Sequence, residues 1–176
     1  MGNAPLTTPR DESKERLSAL GTYLNDHLAG ATGALELARR ALNANRGTAF
    51  EAPLERLATE IAEDRAALLD VMDRLGARRD PLKEWAGWLA EKAGRLKANG
   101  RLRGYSPLSR VLELEVLGLG IEANRMLWRA LGEVAAGDPR LDGVDLGALR
   151  GRADGQRRLV ERQRVLATAI ALRVQD

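Results

Sequence analysis

The sequence predicts an all-α protein: a bundle of four long helices with a shorter helix in the connection between the second and the third. Three observations lead there. The 176 residues are 44% hydrophobic but only 3% aromatic, and Ala, Leu, Arg and Glu, the strong helix formers, dominate while β-branched residues are scarce. Apolar residues recur three and four apart over long windows, which is the period of one helix face. Clusters of Asn, Gly, Asp-Pro and Ser-Pro separate those windows, stopping one helix and starting the next.

Residues 1–8 read as a disordered lead-in, with residues 9–176 forming one helical domain. Thr8, Pro9 and the acids Asp11 and Glu12 make a helix start, with a cap, a proline in the first turn and negative charge at the positive end of the dipole. The first helix runs to about Asn43 on a seam of Leu17, Leu20, Leu24, Leu28, Ala31, Leu35, Ala38 and Leu42. The second begins between Thr48 and Pro53, carries Leu54, Leu57, Ile61, Asp64, Leu68, Val71 and Leu75 on its seam, and stops at Gly76. The short loop between them makes an antiparallel pair. Asp80-Pro81 opens a shorter helix to about Ala98 with Leu82, Trp85, Leu89, Ala93 and Leu96 on one face, leaving Trp88 off that face.

Ser106-Pro107 then starts the most apolar run of the chain. Leu108, Leu112, Val116, Leu119, Ala123, Met126, Ala130 and Val134 share one face, and Leu114, Leu117, Ile121 and Trp128 cover much of another. A helix apolar nearly all round is expected in the middle of a bundle. Asp142 or Asp145 opens the last helix, whose seam is Leu146, Leu149, Ala153, Gln156, Val160, Gln163, Ala167 and Ile170. Four helices of roughly 27–35 residues are about 40–50 Å long. A connection of about 30 residues between the second and third suits a crossover that carries the chain back along the bundle.

Composition also excludes functions. With no cysteine there is no disulfide, thiolate metal site or cysteine nucleophile. One histidine leaves neither a serine triad nor a standard zinc site. The scattered glycines follow no predicted strand and form no phosphate-binding loop. No apolar run is long enough to span a membrane, and the first residues lack a secretory h-region, so the expected location is the cytoplasm.

Polar residues interrupt the seams at particular places: His27, Asp64 with Glu60 one turn before it, Gln156 and Gln163, and Glu115 and Glu122 beside the main apolar face of the third long helix. An antiparallel first pair brings His27 and Asp64 to similar heights. Four long helices, one long crossover and inward carboxylates resemble the ferritin-like superfamily, over most of the chain. That resemblance implies a ferritin-like bundle and a di-metal site built from a Glu on each of two helices and a Glu-x-x-His on each of the others. Glu60 stands for the second-helix glutamate, with Glu63 where its histidine belongs. Glu122 or Glu115 stands for the third-helix glutamate, His27 takes the first-helix place because Glu36 faces outward, and Arg164 replaces the second histidine. The site is thus degraded or replaced.

Three functions follow as expectations. The first is a non-catalytic binding or interaction protein whose buried polar layer fixes helix register, with no cofactor. The second is a carboxylate-rich site for iron or manganese made by His27, Glu60, Asp64 and Glu122. The third is an anion-binding patch of Lys92, Arg95, Lys97, Arg101, Arg103 and Arg110, on a chain with net charge +3. Trp88, off the apolar face, would serve as an anchor for a partner or a homodimer contact.

Overall fold

The computed structural model describes residues 9–80 and 105–173, with side chains from residue 18 onward. It contains α1 (Pro9–Ala44), α2 (Glu51–Leu75), α3 (Pro107–Ala135), a 3-10 turn (Pro139–Leu141) and α4 (Leu146–Leu172). The described residues form an all-α four-helix bundle without strands. No helix among them is long and apolar enough to cross a membrane. The expected lead-in and the short helix of residues 81–98 lie outside the described residues.

Local signals set the helix ends. Gly76 adopts φ 65°, and the Ala77 amide donates to the Met72 carbonyl at 2.9 Å, closing α2 with a left-handed residue that a side chain disfavours. Ser106 accepts from the Ser109 amide at 3.1 Å ahead of Pro107. Of the two aspartates expected to open the last helix, Asp145 is the cap, accepting from the Ala148 amide at 2.8 Å. At α2 the expected box of Thr48 and Glu51 is shifted. Glu51 accepts from the Gly47 amide at 2.7 Å and Thr48 Oγ1 from the Phe50 amide at 3.2 Å, so both carboxylate and hydroxyl tie down the loop.

Hydrogen bonds fix the helix directions. Arg65 donates to Thr32 Oγ1 at 2.9 Å, pairing α1 and α2 antiparallel. Arg40 near the end of α1 reaches Glu113 near the start of α3 at 3.2 Å, so α3 begins beside the α1–α2 loop and runs parallel to α2. The end of α2 and the start of α3 therefore lie at opposite ends of the bundle. Two buried asparagines, Asn25 midway along α1 and Asn45 just past its end, tie other segments to this helix. Asn25 donates to the Arg78 carbonyl at 2.9 Å and accepts from the Asp80 amide at 2.9 Å. Asn45 donates to the Tyr105 hydroxyl at 3.0 Å and accepts from Arg110 Nε.

The interior is divided. One apolar cluster includes Leu35, Leu54, Leu57, Ile61, Leu114, Leu117, Ile121 and Val160. The other includes Leu24, Leu28, Leu68, Met72, Leu127, Trp128, Leu131 and Ala153. All seven predicted seam positions of α2 are buried, Asp64 among them. α3 departs from its expectation. Its buried face is Val111, Leu114, Leu117, Ile121, Leu127, Trp128 and Leu131, while Leu119 is 59% and Met126 55% exposed. The helix is a wall of the bundle and not its axis, because α1 and α4 flank it and only one side meets the core. Ile170 of the predicted α4 seam is also exposed.

Candidate functional site

Between the two apolar clusters lies a layer where three helices supply polar groups. Asp64 falls between Ile61 and Leu68 on α2, Asn124 between Ile121 and Trp128 on α3, and Gln156 between Ala153 and Val160 on α4. One turn before Gln156, Arg152 shares its face of α4, as the i, i+4 spacing requires. From α1, Ala31 and Ala34 line this level, and Gly120 of α3 approaches them closely; a Cβ on Gly120 would sit 3.5 Å from the Ala34 Cβ.

Asp64 is 3% exposed and accepts three hydrogen bonds. Arg152 Nε donates to Oδ1 at 2.7 Å, Gln156 Nε2 to Oδ2 at 2.8 Å, and Asn124 Nδ2 to Oδ2 at 3.1 Å. Arg152 spans from this buried carboxylate to the surface, where its Nη1 donates to Glu63 at 2.7 Å. Burial pushes the Asp64 carboxyl above its ordinary range, outweighing the opposite pull of Gln156 and Arg152, and Glu60 adds to the rise. Gln156 is fully enclosed, and with Nε2 committed to Asp64 its Oε1 has no hydrogen-bond partner among the described residues. A cavity of about 20 Å³ is lined by Asp64, Asn124, Gln156 and the small residues of α1 and α3, space for one molecule the size of water.

The other sequence-predicted site residues are not drawn into this layer. Since Thr32 pairs with Arg65, His27 sits about six residues from the level of Asp64, roughly 9 Å along the axis and more than the single turn expected. His27 instead packs edge-on against Tyr23, ring centroids 4.5 Å apart, and burial lowers its pKa against the opposing pull of Asp26. Glu60 is one turn from Asp64 and pairs with Arg56 at 2.7 Å. Glu122 lies in the groove between α3 and α4, where Arg125 grips both its oxygens at 3.0 and 2.7 Å and holds its carboxyl below the usual range. Among the described residues, no group of three or more His, Cys, Asp or Glu is placed to hold a metal ion.

Of the basic segment, Lys92, Arg95, Lys97, Arg101 and Arg103 lie outside the described residues. Arg110 is turned onto the bundle end, its guanidinium 4.2 Å from the centre of the Phe50 ring. It belongs to a second polar cluster that the seams gave no hint of. Tyr105 donates to Glu113 Oε2 at 2.8 Å, and Asn45, fully buried, ties the same hydroxyl to the Ala41 carbonyl through its amide. Burial raises the Tyr105 pKa, Asn45 opposing it and Glu113 reinforcing it. Asn124 and Arg152 were also missed, although a signal existed. Asn124 is the polar residue on the Leu117, Ile121, Trp128 side of α3, and Arg152 precedes the seam position Gln156 by one turn.

Chemically, the layer pairs one buried carboxylate with one guanidinium and two amides. Its cavity has room for a single water-sized molecule, and among the described residues it is lined by no serine, threonine or histidine. Compared with known proteins, the chain matches no family model, no curated sequence and no solved structure.

Proposed function

We propose that the chain is a non-catalytic interaction protein, a four-helix bundle with ferritin-like connectivity whose central polar layer sets the register of its helices. The observation that supports this most is the set of protein donors around Asp64: Arg152, Gln156 and Asn124 donate to both of its oxygens. A buried carboxylate satisfied this way penalises any slip of α3 or α4, because a shift of one turn would strand it in the apolar clusters on either side. The cavity beside it is too small for two ions roughly 3.5–4 Å apart with bridging ligands.

The test is elemental analysis of the chain purified without chelators or a histidine tag, alongside Asp64→Ala. The register reading expects no bound transition metal and no thermal shift on adding iron or manganese. Near-stoichiometric metal, lost in Asp64→Ala, would replace it with a carboxylate metal site.

A further inference from the structure

The outward face of α3 carries a seam in the wrong place for a bundle core. Leu112, Val116, Leu119, Ala123, Met126 and Ala130 follow one another at intervals of four, three, four, three and four, the spacing of a coiled coil. Leu119, Ala123 and Met126 are exposed, while Leu112, Val116 and Ala130 are half-buried, Val116 partly against the first apolar cluster of its own chain. The stripe is about 27 Å long, from 18 steps of roughly 1.5 Å each. Glu115, Glu122 and Arg129 run along one flank. Glu122 is held by Arg125, Glu115 is 3.9 Å from Arg164, and among the described residues Arg129 has no ion pair.

We infer that this stripe is the contact between two copies of the chain, packed as an antiparallel α3–α3 pair about a two-fold axis near residue 121. Two complementarities select that occupant and that direction. With the axis there, Leu119 opposes Ala123 of the partner subunit, Val116 opposes Met126 of the partner subunit, and Leu112 opposes Ala130 of the partner subunit. Each layer then matches a larger side chain with a smaller or a flexible one. The same register sets Glu115 against Arg129 of the partner subunit twice, once on each side of the axis, with Arg125 neutralising Glu122 between them. A parallel pair would stack Ala123 on its own copy and leave the flanking charges facing Gly120 and Leu127, which offer no opposite charge. The interface is isologous and closes on itself. It rests on the interaction reading above, but its failure is separately visible: a monomer without metal removes the self-contact and leaves the register layer standing.

Sedimentation equilibrium of the full chain tests it. The expected mass is twice the 19.2 kDa of one chain. Leu119→Asp with Met126→Asp is expected to give a monomer with unchanged helical circular dichroism, melting where wild type diluted to monomer melts, since both side chains are exposed within one chain. Glu115→Arg and Arg129→Glu alone should each raise the dimer dissociation constant about tenfold, and the two together should restore it. Because the chain has no cysteine, Leu119→Cys with Ala123→Cys should also link copies covalently on oxidation. A wild-type monomer overturns the inference, as does a Leu119→Asp monomer that melts below the dilute wild-type monomer, which means the stripe is covered within one chain. A dimer indifferent to these positions, or an exchanged pair that fails to recover, overturns it too.

Discussion

Replacing Asp64 and Gln156 by leucine, singly and together, should show a cycle that does not add. In Asp64→Leu the enclosed Gln156 amide loses its only acceptor, which costs about 1–3 kcal/mol. Asn124 and Arg152 contribute less, because Asn124 is half-exposed and Arg152 keeps Glu63. Relief from burying the carboxylate offsets part of that loss. Gln156→Leu leaves Asp64 Oδ2 with Asn124 alone and should cost a similar amount, about 1–3 kcal/mol. With both changed, two leucines join the apolar clusters above and below, and stability should return to within about 1 kcal/mol of wild type. The coupling, the double loss minus the two single losses, then has a magnitude of roughly 2–6 kcal/mol. Urea melts followed by circular dichroism give all four free energies, and an unchanged m-value shows that each variant unfolds from the same compact state. Additive single losses would refute the view that the two side chains act as one unit.

The remaining expectations concern proton linkage, the crossover and the backbone. The folded chain holds the Asp64 proton more tightly than the unfolded chain, where the pKa is near 3.8. Its stabilisation relative to Asp64→Asn is therefore complete below that pH and lost as pH rises through the higher folded pKa, which melts at several acidic pH values will show. His27 behaves oppositely. Its folded pKa lies below 6.5, so its contribution is present above that pH and is lost as pH falls through the folded value; the single histidine resonance should titrate there, and His27→Gln should flatten the dependence. Asn45→Ala removes the bonds to Ala41, Tyr105 and Arg110 from a fully buried site and should cost about 1–3 kcal/mol in urea melts. Gly132→Ala adds a methyl with nothing within 4 Å inside α3 and should stabilise by about 0.5–1 kcal/mol, whereas Gly76→Ala, at φ 65°, should destabilise.

The helices were legible because their signals are local. Ser106-Pro107, Gly76 and the Leu54-to-Leu75 spacing each act within a turn or two of chain. The length of the connection also agrees with the opposite bundle ends at which α2 stops and α3 starts. The orientation of α3 was not legible, since two of its faces are apolar and only the positions of α1 and α4 decide which one meets the core. Asp64 and Gln156 were visible as polar breaks in otherwise apolar seams. Their partners were harder to see. Asn124 looks like surface until the buried face of α3 is known, and the long stem of Arg152 lets a half-exposed residue reach an enclosed carboxylate. The Asn45, Tyr105 and Glu113 cluster joins residues 60 and 8 apart in sequence at a bundle end, where no periodicity operates. His27 was misjudged in height because the α1–α2 register is set by the Arg65–Thr32 pair and not by the midpoint of the loop.

The side-chain amide of Gln156 offers the most direct view of the central layer. In a nitrogen–proton correlation spectrum its Nε2 protons should exchange slowly with water, stay unbroadened when manganese is added, and lose their protection in Asp64→Leu. Rapid exchange in the wild-type chain, or selective broadening by the ion, would mean that Asp64 is engaged otherwise than with Gln156, and the account of a protein-satisfied register layer would fail.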